Sequence, residues 1–192
     1  MKRYLTFWKA ALTKPLITGA VVPSSKKLCI KMLEHAHLGE ADCVVELGPG
    51  TGALTRRIVP QLKQNAVFLC IDSNPVMVKF LKKEIDRGKI IHDGAEQLKK
   101  YIDEAGIPAD VIFSSLPFST LPRAKSEKIL EAIQRSLGPK GKLILYQYMH
   151  AAWHTKARLL VAALKAHFRE VKMKKVFGNI PPAFVFTCLK ST

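Results

Sequence analysis

The sequence predicts an α/β protein, built on a seven-stranded, mostly parallel, doubly wound sheet with helices on both faces. Apolar runs of strand length alternate with segments of helix length along most of the chain, which is typical of parallel sheets. The first buried run leads directly into a glycine-rich turn and a helix. The last two runs are separated only by residues 178–182, which predicts an antiparallel C-terminal hairpin at one edge of the sheet.

The strands and helices are predicted from segments of the sequence that are bounded by Gly, Pro, Asn and Asp. Strands are expected near residues 43–47, 66–71, 89–92, 110–114, 142–148, 170–177 and 183–189, and helices near 26–35, 53–63, 75–86, 95–104, 124–137 and 152–167. Ahead of them, Pro15 ends a helix over residues 3–14, and Ser24 or Ser25 can cap the helix that begins near Lys26. Residues 1–40 are therefore interpreted as an N-terminal helical appendage, an amphipathic helix with a lid segment. Residues 41–192 are interpreted as the main domain.

The charge balance favours an anionic partner. The 31 basic and 15 acidic residues leave a net charge of +16, which indicates acidic lipid or nucleic acid without choosing between them. The alternative is that the lysines only keep the fold soluble. The four cysteines lack a C-x-x-C spacing, so we expect reduced core residues and no metal site. No apolar run approaches the ~18 residues that span a bilayer, and a cytoplasmic location is expected.

The N-terminal segment is basic and amphipathic. On a helix over residues 3–14, Tyr4 and Trp8 share an apolar half and Lys9 lies opposite. Residues 1–33 contain seven basic residues and no acid. This pattern suits peripheral binding to an anionic phospholipid membrane, and docking on the domain core is the alternative. Nucleic acid is the less favoured partner.

The glycine-rich turn predicts a nucleoside site. Gly48, Gly50 and Gly52 follow the first strand and let the backbone approach a ligand closely. The next strand ends in Asp72, whose carboxylate can accept both hydroxyls of a ribose. Glu46, just before the turn, disfavours a phosphate and suits a cationic group.

The segment from Glu46 to Gly52, E-L-G-P-G-T-G, resembles motif I of class I S-adenosylmethionine-dependent methyltransferases. The resemblance implies a Rossmann-like fold and S-adenosyl-L-methionine as cofactor, with Glu46 near its amino-acid end. It also implies that Asp93 accepts the adenine amine, whereas capping of the helix near Ala95 is the alternative for Asp93. The residues assigned to the cofactor site are Ser24, Ser25, Glu46, Gly48, Gly50, Gly52, Asp72, Ser73, Asp93, Gly94, Ala95, Ser114 and Leu116.

The loop after the fourth strand is expected beside the transferred methyl group. Adenine-N6 methyltransferases have Asn or Asp here, followed by proline and an aromatic residue. This chain has Ser115-Leu116-Pro117-Phe118, so the polar acceptor is missing, although Phe118 can still stack on a base. Pro117 and Phe118 are assigned to the substrate or membrane side of the site, together with Tyr4, Trp8 and Lys9.

Four segments resemble bacterial phospholipid N-methyltransferases: residues 18–25, the Leu-Pro loop, residues 147–150 and residues 179–183. The resemblance implies methylation of a phosphatidylethanolamine-type amine and a more distant relation to ribosomal RNA adenine dimethylases. The chain departs from the family at Met149 and His150, where threonine and tyrosine are usual. An RNA (adenine-N6) methyltransferase is the alternative function, and a non-catalytic binding module is a third interpretation.

Tyr148 and His150 are the candidate catalytic residues. An ammonium head group must lose a proton before attack, and a tyrosine or histidine at the cleft can orient the amine or accept the proton. The alternatives are a packing tyrosine at a strand end and a helix-capping histidine.

Overall fold

The computed structural model describes residues 25–149, 155–177, 179 and 181–190, with the side chains of 155–157 left out. The helix predicted over residues 3–14 lies outside these residues. The residues assigned to a functional role that also lie outside them are Tyr4, Trp8, Lys9, Ser24 and His150.

Seven strands form one sheet in the order β3-β2-β1-β4-β5-β7-β6. The strands are β1 Cys43–Leu47, β2 Val67–Asp72, β3 Lys89–His92, β4 Ala109–Ser114, β5 Leu137–Tyr148, β6 Phe168–Val176 and β7 Ala183–Lys190. β1 to β5 pair in parallel, and β7 pairs antiparallel with both β5 and β6. The predicted doubly wound sheet with an antiparallel C-terminal hairpin is confirmed.

Six α-helices occur in the described part of the chain. They are α1 Lys26–Leu33, α2 Thr55–Ile58, α3 Pro75–Glu84, α4 Leu98–Ala105, α5 Arg123–Ser136 and α6 Thr155–His167, with short 3-10 turns at Val59–Gln61 and Ala95–Gln97. The helix after the glycine turn is shorter than predicted because Pro60 has no N–H to donate, so the last part becomes a 3-10 turn. Ser25 caps α1, its Oγ accepting the Leu28 N–H at 3.2 Å.

The sheet is covered on both faces. On one face α4, α5 and α6 pack through side chains such as Leu98, Ile129 and Leu164. On the other face α1, α2 and α3 pack through side chains such as Leu28 and Ile58. All of β1 is buried, as expected for a central strand covered on both sides. None of the described helices is both long and apolar enough to pass through a bilayer.

The parallel pairing places the carboxyl ends of β1 to β5 at one edge of the sheet, where ligands of such folds bind. β6 runs parallel to β5, since each is antiparallel to the β7 strand between them, so its carboxyl end reaches the same edge. The division of the chain at residue 40 stays a prediction, and α1 packs on β5, β6 and β7 of the main sheet.

Candidate cofactor and active site

The glycine turn is open at Gly50 and closely packed at Gly48. Gly48 and Gly50 have φ angles of +70° and +54°, which side chains adopt only with strain. A Cβ at Gly48 would lie 2.8 Å from Leu116 Cδ2, whereas a Cβ at Gly50 would have nothing within 4 Å. The space above Gly50 is therefore a cradle that a ligand can enter.

Asp72 holds this turn in place. Its Oδ2 accepts the Gly50 N–H at 3.0 Å, and its Oδ1 accepts the Asn74 N–H at 2.8 Å. Asn74 in turn caps α3 by accepting the Val76 N–H at 2.9 Å. A carboxylate offers about four lone-pair positions. Two remain for further donors, and the ribose role of Asp72 stays a prediction.

Glu46 lies beneath the turn and is completely buried. Its Oε2 accepts the Thr55 hydroxyl at 2.7 Å, and its Oε1 has no hydrogen-bond partner among the described residues. Burial raises the pKa of Glu46 to about 7, opposed by the Thr55 hydrogen bond and helped by the charge of Asp72. A cationic amino group at the turn would favour the ionised carboxylate. Because Glu46 is buried, the role predicted for it fits an electrostatic interaction across a short distance better than a contact at an exposed surface.

Asp93 follows β3 and makes two hydrogen bonds. Its Oδ2 accepts the Tyr101 hydroxyl at 2.6 Å, and its Oδ1 accepts the Gly94 N–H at 2.7 Å. These bonds, the Tyr101 bond first, hold the pKa of Asp93 below its usual range, and the same contact raises the pKa of Tyr101 to about 12. Gly94 is the N-cap of the 3-10 turn that starts at Ala95, without a side-chain cap bond. Asp93 therefore does not act as the helix cap.

Ser73 lies at the surface beside this site. Its carbonyl oxygen is 3.2 Å from His92 Nε2, which links the ends of β2 and β3.

The loop after β4 folds back over the glycine turn. Ser114 is buried and its Oγ accepts the Leu116 N–H at 3.4 Å, while the Ser115 N–H donates to the Leu47 carbonyl at 2.9 Å. Pro117 is half-buried, and the Phe118 ring is only 5% exposed and packs in the core. Leu116 thus contacts the turn, and Phe118 does not present its ring for stacking on a base.

Tyr148 ends β5 on the α1 face of the sheet, whereas Leu116 and Phe118 pack on the opposite face. Its ring meets Tyr146 edge-on, with centroids 5.4 Å apart. Burial raises the pKa of Tyr148, opposed by a hydrogen bond with Tyr146, so its hydroxyl keeps its proton at neutral pH. The geometry matches the packing alternative and suits orienting an amine better than deprotonating it.

Gln147 belongs to a segment that the sequence singled out, but it was not assigned to the site. It is 6% exposed, and its Nε2 lacks a hydrogen-bond partner within the described part of the chain. Because successive strand side chains alternate, Gln147 points to the α5 and α6 face, opposite Tyr146 and Tyr148. A polar residue between two apolar positions at the end of a buried strand was the signal that could have identified it.

Comparison with known proteins places this site in a family. A methyltransferase domain model matches residues 44–141. Ornithine lipid N-methyltransferase of Singulisphaera acidiphila is 22% identical over 192 residues, covering 98% of this chain and 96% of that protein. A protein of Methanosarcina barkeri described as a probable ribosomal RNA small subunit methyltransferase A is 31% identical over 123 residues, which are 64% of this chain and 38% of that protein.

Solved structures share the fold. The O-methyltransferase from Bacillus cereus, in complex with S-adenosylhomocysteine, superposes with a TM-score of 0.72 at 13% identity, covering 95% of this chain and 88% of that one. The N-methyltransferase NodS from Bradyrhizobium japonicum, also bound to S-adenosylhomocysteine, gives 0.67 at 15% identity, covering 85% and 86%.

The site fits the cofactor of that family. The space at Gly50 is open to a ligand, the remaining lone pairs of Asp72 can accept hydroxyl donors, and Glu46 Oε1, which has no partner among the described residues, suits a nearby cation. By its domain match, its strand order and this site, the chain belongs to the methyltransferase domain family and is a class I, S-adenosyl-L-methionine-dependent methyltransferase with a Rossmann-like fold.

Proposed function

We propose that the protein N-methylates the amine head group of phosphatidylethanolamine-type phospholipids at an anionic membrane surface. The observation that supports this most is the extent of the similarity to ornithine lipid N-methyltransferase, which covers 98% of this chain and 96% of the relative. The similarity to the ribosomal RNA enzyme covers only 38% of that relative. The net charge of +16 suits an acidic bilayer.

The reaction depends mainly on how the methyl donor and the amine are positioned. S-adenosyl-L-methionine supplies an electrophilic methyl group on a sulfonium, and an amine lone pair must approach it in line from the opposite side. The loop that carries Leu116 and Pro117 is half-buried, with Leu116 packed against the apolar core at this edge of the sheet. Tyr148 keeps its proton and orients the amine, while the buried amide of Gln147 lies at the end of the same strand.

The alternative is an RNA (adenine-N6) methyltransferase, favoured by the 31% identity to the Methanosarcina barkeri protein. Two observations weigh against it. The loop after β4 has Ser115 where an amide or acid would accept the adenine amine, and the Phe118 ring is buried. A flipped base would therefore find neither an acceptor nor a stacking surface without movement of the loop.

Methyl transfer from labelled S-adenosyl-L-methionine into a phospholipid extract and into total RNA separates the two functions. We expect label in the lipid, and label in RNA alone would establish the alternative. Asp72→Asn should lower the affinity for S-adenosylhomocysteine by about tenfold or more and abolish transfer, because it removes an acceptor oxygen and a charge.

Asp110→Asn is the matched control for this experiment. Asp110 Oδ2 also accepts two backbone N–H groups, from Asp42 at 2.7 Å and Cys43 at 3.0 Å, but at the opposite edge of the sheet. This variant should lose stability without losing cofactor affinity. Absence of label from both lipid and RNA with the wild-type protein would contradict the proposed function.

A further inference from the structure

An apolar groove of about 370 Å³ lies between α5 and α6, next to the loop after β4. Its walls come from that loop, from the first two turns of α5 and from the middle of α6. The main lining side chains are Phe118, Leu121, Leu130, Leu159, Leu160 and Ala163. The volume is at the lower end of the range of ~300–1,000 Å³ typical of sites for small organic molecules.

The loop after β4 links the groove to the cofactor site along the chain. Leu116 contacts the glycine turn at Gly48, and the Phe118 N–H donates to the Leu116 carbonyl at 2.9 Å. Phe118 is also a wall of the groove. A molecule whose reactive end lies at Leu116 would have to follow the loop from residue 116 to residue 118 to reach the groove.

The α5 wall of the groove carries one basic and one acidic residue, Arg123 and Glu127, and the α6 wall is apolar. Arg123, the first residue of α5, lines the groove with a side chain that is 80% exposed. Lys125 instead points to Glu96, 3.7 Å away. Glu127 lies 3.2 Å from His167, and its contact with Arg123 is longer, at 3.9 Å. Arg123 is thus the cation best placed to meet an anionic head group here.

Leu159 completes the mouth as an apolar lip. It is 45% exposed and lines the groove together with the buried Leu160. An apolar interior, an apolar lip and one guanidinium at the rim together match an amphiphile with an anionic head and a hydrocarbon tail.

We propose that this groove binds one acyl chain of the methyl-accepting lipid, with Arg123 against the anionic group beside its amine. The inference rests on the proposed function and names the part of the substrate that the site recognises. The volume accommodates a single chain, so the second chain of a two-chain lipid stays in the bilayer. Burial of each methylene group should tighten binding about fourfold until the groove is full.

Single-chain lysophosphatidylethanolamines of 6 to about 14 carbons test this proposal. Binding to the full chain is measured by titration calorimetry, below the micelle concentration and with S-adenosylhomocysteine present. Wild-type affinity should rise about fourfold per methylene. Ala163→Phe fills the groove, so the affinity for long chains should fall by about tenfold or more while that for the shortest chain stays unchanged.

Ala124→Phe provides the matched control. It makes the same change of size on the exposed first turn of α5, outside the groove. It should keep the wild-type dependence on chain length, and both variants should bind S-adenosylhomocysteine as the wild type does, which shows that they fold.

The possible outcomes distinguish a failure of the proposed groove from a failure of the proposed reaction. A dependence on chain length that persists in Ala163→Phe would overturn the groove while leaving lipid methylation intact. Failure of every lysolipid to bind the wild type would overturn it too. Binding that Ala163→Phe abolishes, without any methyl transfer to a lipid amine, would support the groove and overturn the proposed function.

Discussion

Glu46 shows how a single residue can link the fold to the cofactor site. Its carboxyl group is completely buried, one oxygen is held by Thr55, and the other has no donor among the described residues. A buried carboxylate without a cation is unfavourable, and the raised pKa of Glu46, about 7, expresses that cost.

The pKa of Glu46 predicts a pH dependence of stability. The unfolded chain releases the proton near 4.5 and the folded protein near 7, so between these values the unfolded state binds fewer protons. The free energy of unfolding should therefore fall by about 3 kcal/mol as pH rises through this window and level off above it. Urea titrations from pH 4 to 8 measure this slope.

Glu46→Gln should remove that component of the slope. Glu84→Gln is the control, because Glu84 is exposed and pairs with Arg56 at the surface, at 3.5 Å. An unchanged slope in Glu46→Gln would show that another group carries the pH dependence.

Local sequence was sufficient to identify some site residues but not their surroundings. Asp72 was predicted because it ends the apolar run of β2, whereas Asp93, which follows β3, was predicted from the resemblance to class I methyltransferases. The bond from Thr55 to Glu46 and the bond from Tyr101 to Asp93 join residues nine and eight positions apart. Whether such a pair meets depends on how a helix packs on its strand, which no short motif specifies.

At the scale of elements, α1 is the helix whose place in the molecule was least predictable. It precedes the first strand and lies within the segment interpreted as an appendage. Its residues Leu28, Cys29 and Met32 are nonetheless buried against the same face of the sheet as α2 and α3.

The packing of α1 predicts how much it contributes to stability. Met32→Ala should lower the free energy of unfolding by about 2–5 kcal/mol, because Met32 is 1% exposed and truncation leaves a cavity. Ile30→Ala, on the same helix at 46% exposure, should change it by less than about 1 kcal/mol. Denaturant unfolding followed by circular dichroism measures both. An effect of Met32→Ala as small as that of Ile30→Ala would show that α1 is not part of the cooperatively unfolding unit.

The C-terminal strands show what spacing can and cannot specify. Their short connection predicted a hairpin, but either strand could have paired with β5. Composition distinguishes them physically: β7 buries Val185, Phe186 and Cys188 and is central, whereas β6 exposes Lys172 and Lys174. Lysines are typical of an edge strand, where they discourage pairing with another chain.

At the scale of the whole molecule, the net charge of +16 and the position of the site both favour contact with an anionic surface. β6 carries exposed lysines toward the edge of the sheet that holds the glycine turn, and Phe177 follows it with 70% of its side chain exposed. Met173, on the same strand, is 51% exposed. Basic side chains interleaved with apolar ones suit contact with an anionic bilayer.

The membrane expectation can be checked by flotation with vesicles. The full chain should bind vesicles that contain anionic phosphatidylglycerol at low salt and dissociate at high salt, since each basic residue near such a surface adds about 1 kcal/mol. Deletion of residues 1–14 should abolish vesicle binding and leave S-adenosylhomocysteine binding unchanged. Vesicles of neutral phosphatidylcholine are the control. Undiminished binding after the deletion would place the contact elsewhere on the molecule.

The two backbone bonds accepted by Asp72 have a consequence for the kinetics of cofactor exchange. They link the end of β2 to the Gly50 turn and to the start of α3, so this part of the cofactor site is already formed without a ligand. Preorganisation of this kind removes the ordering entropy from the association step. Cofactor and spent cofactor should therefore enter and leave without a folding transition, at rates governed by whatever covers the cleft.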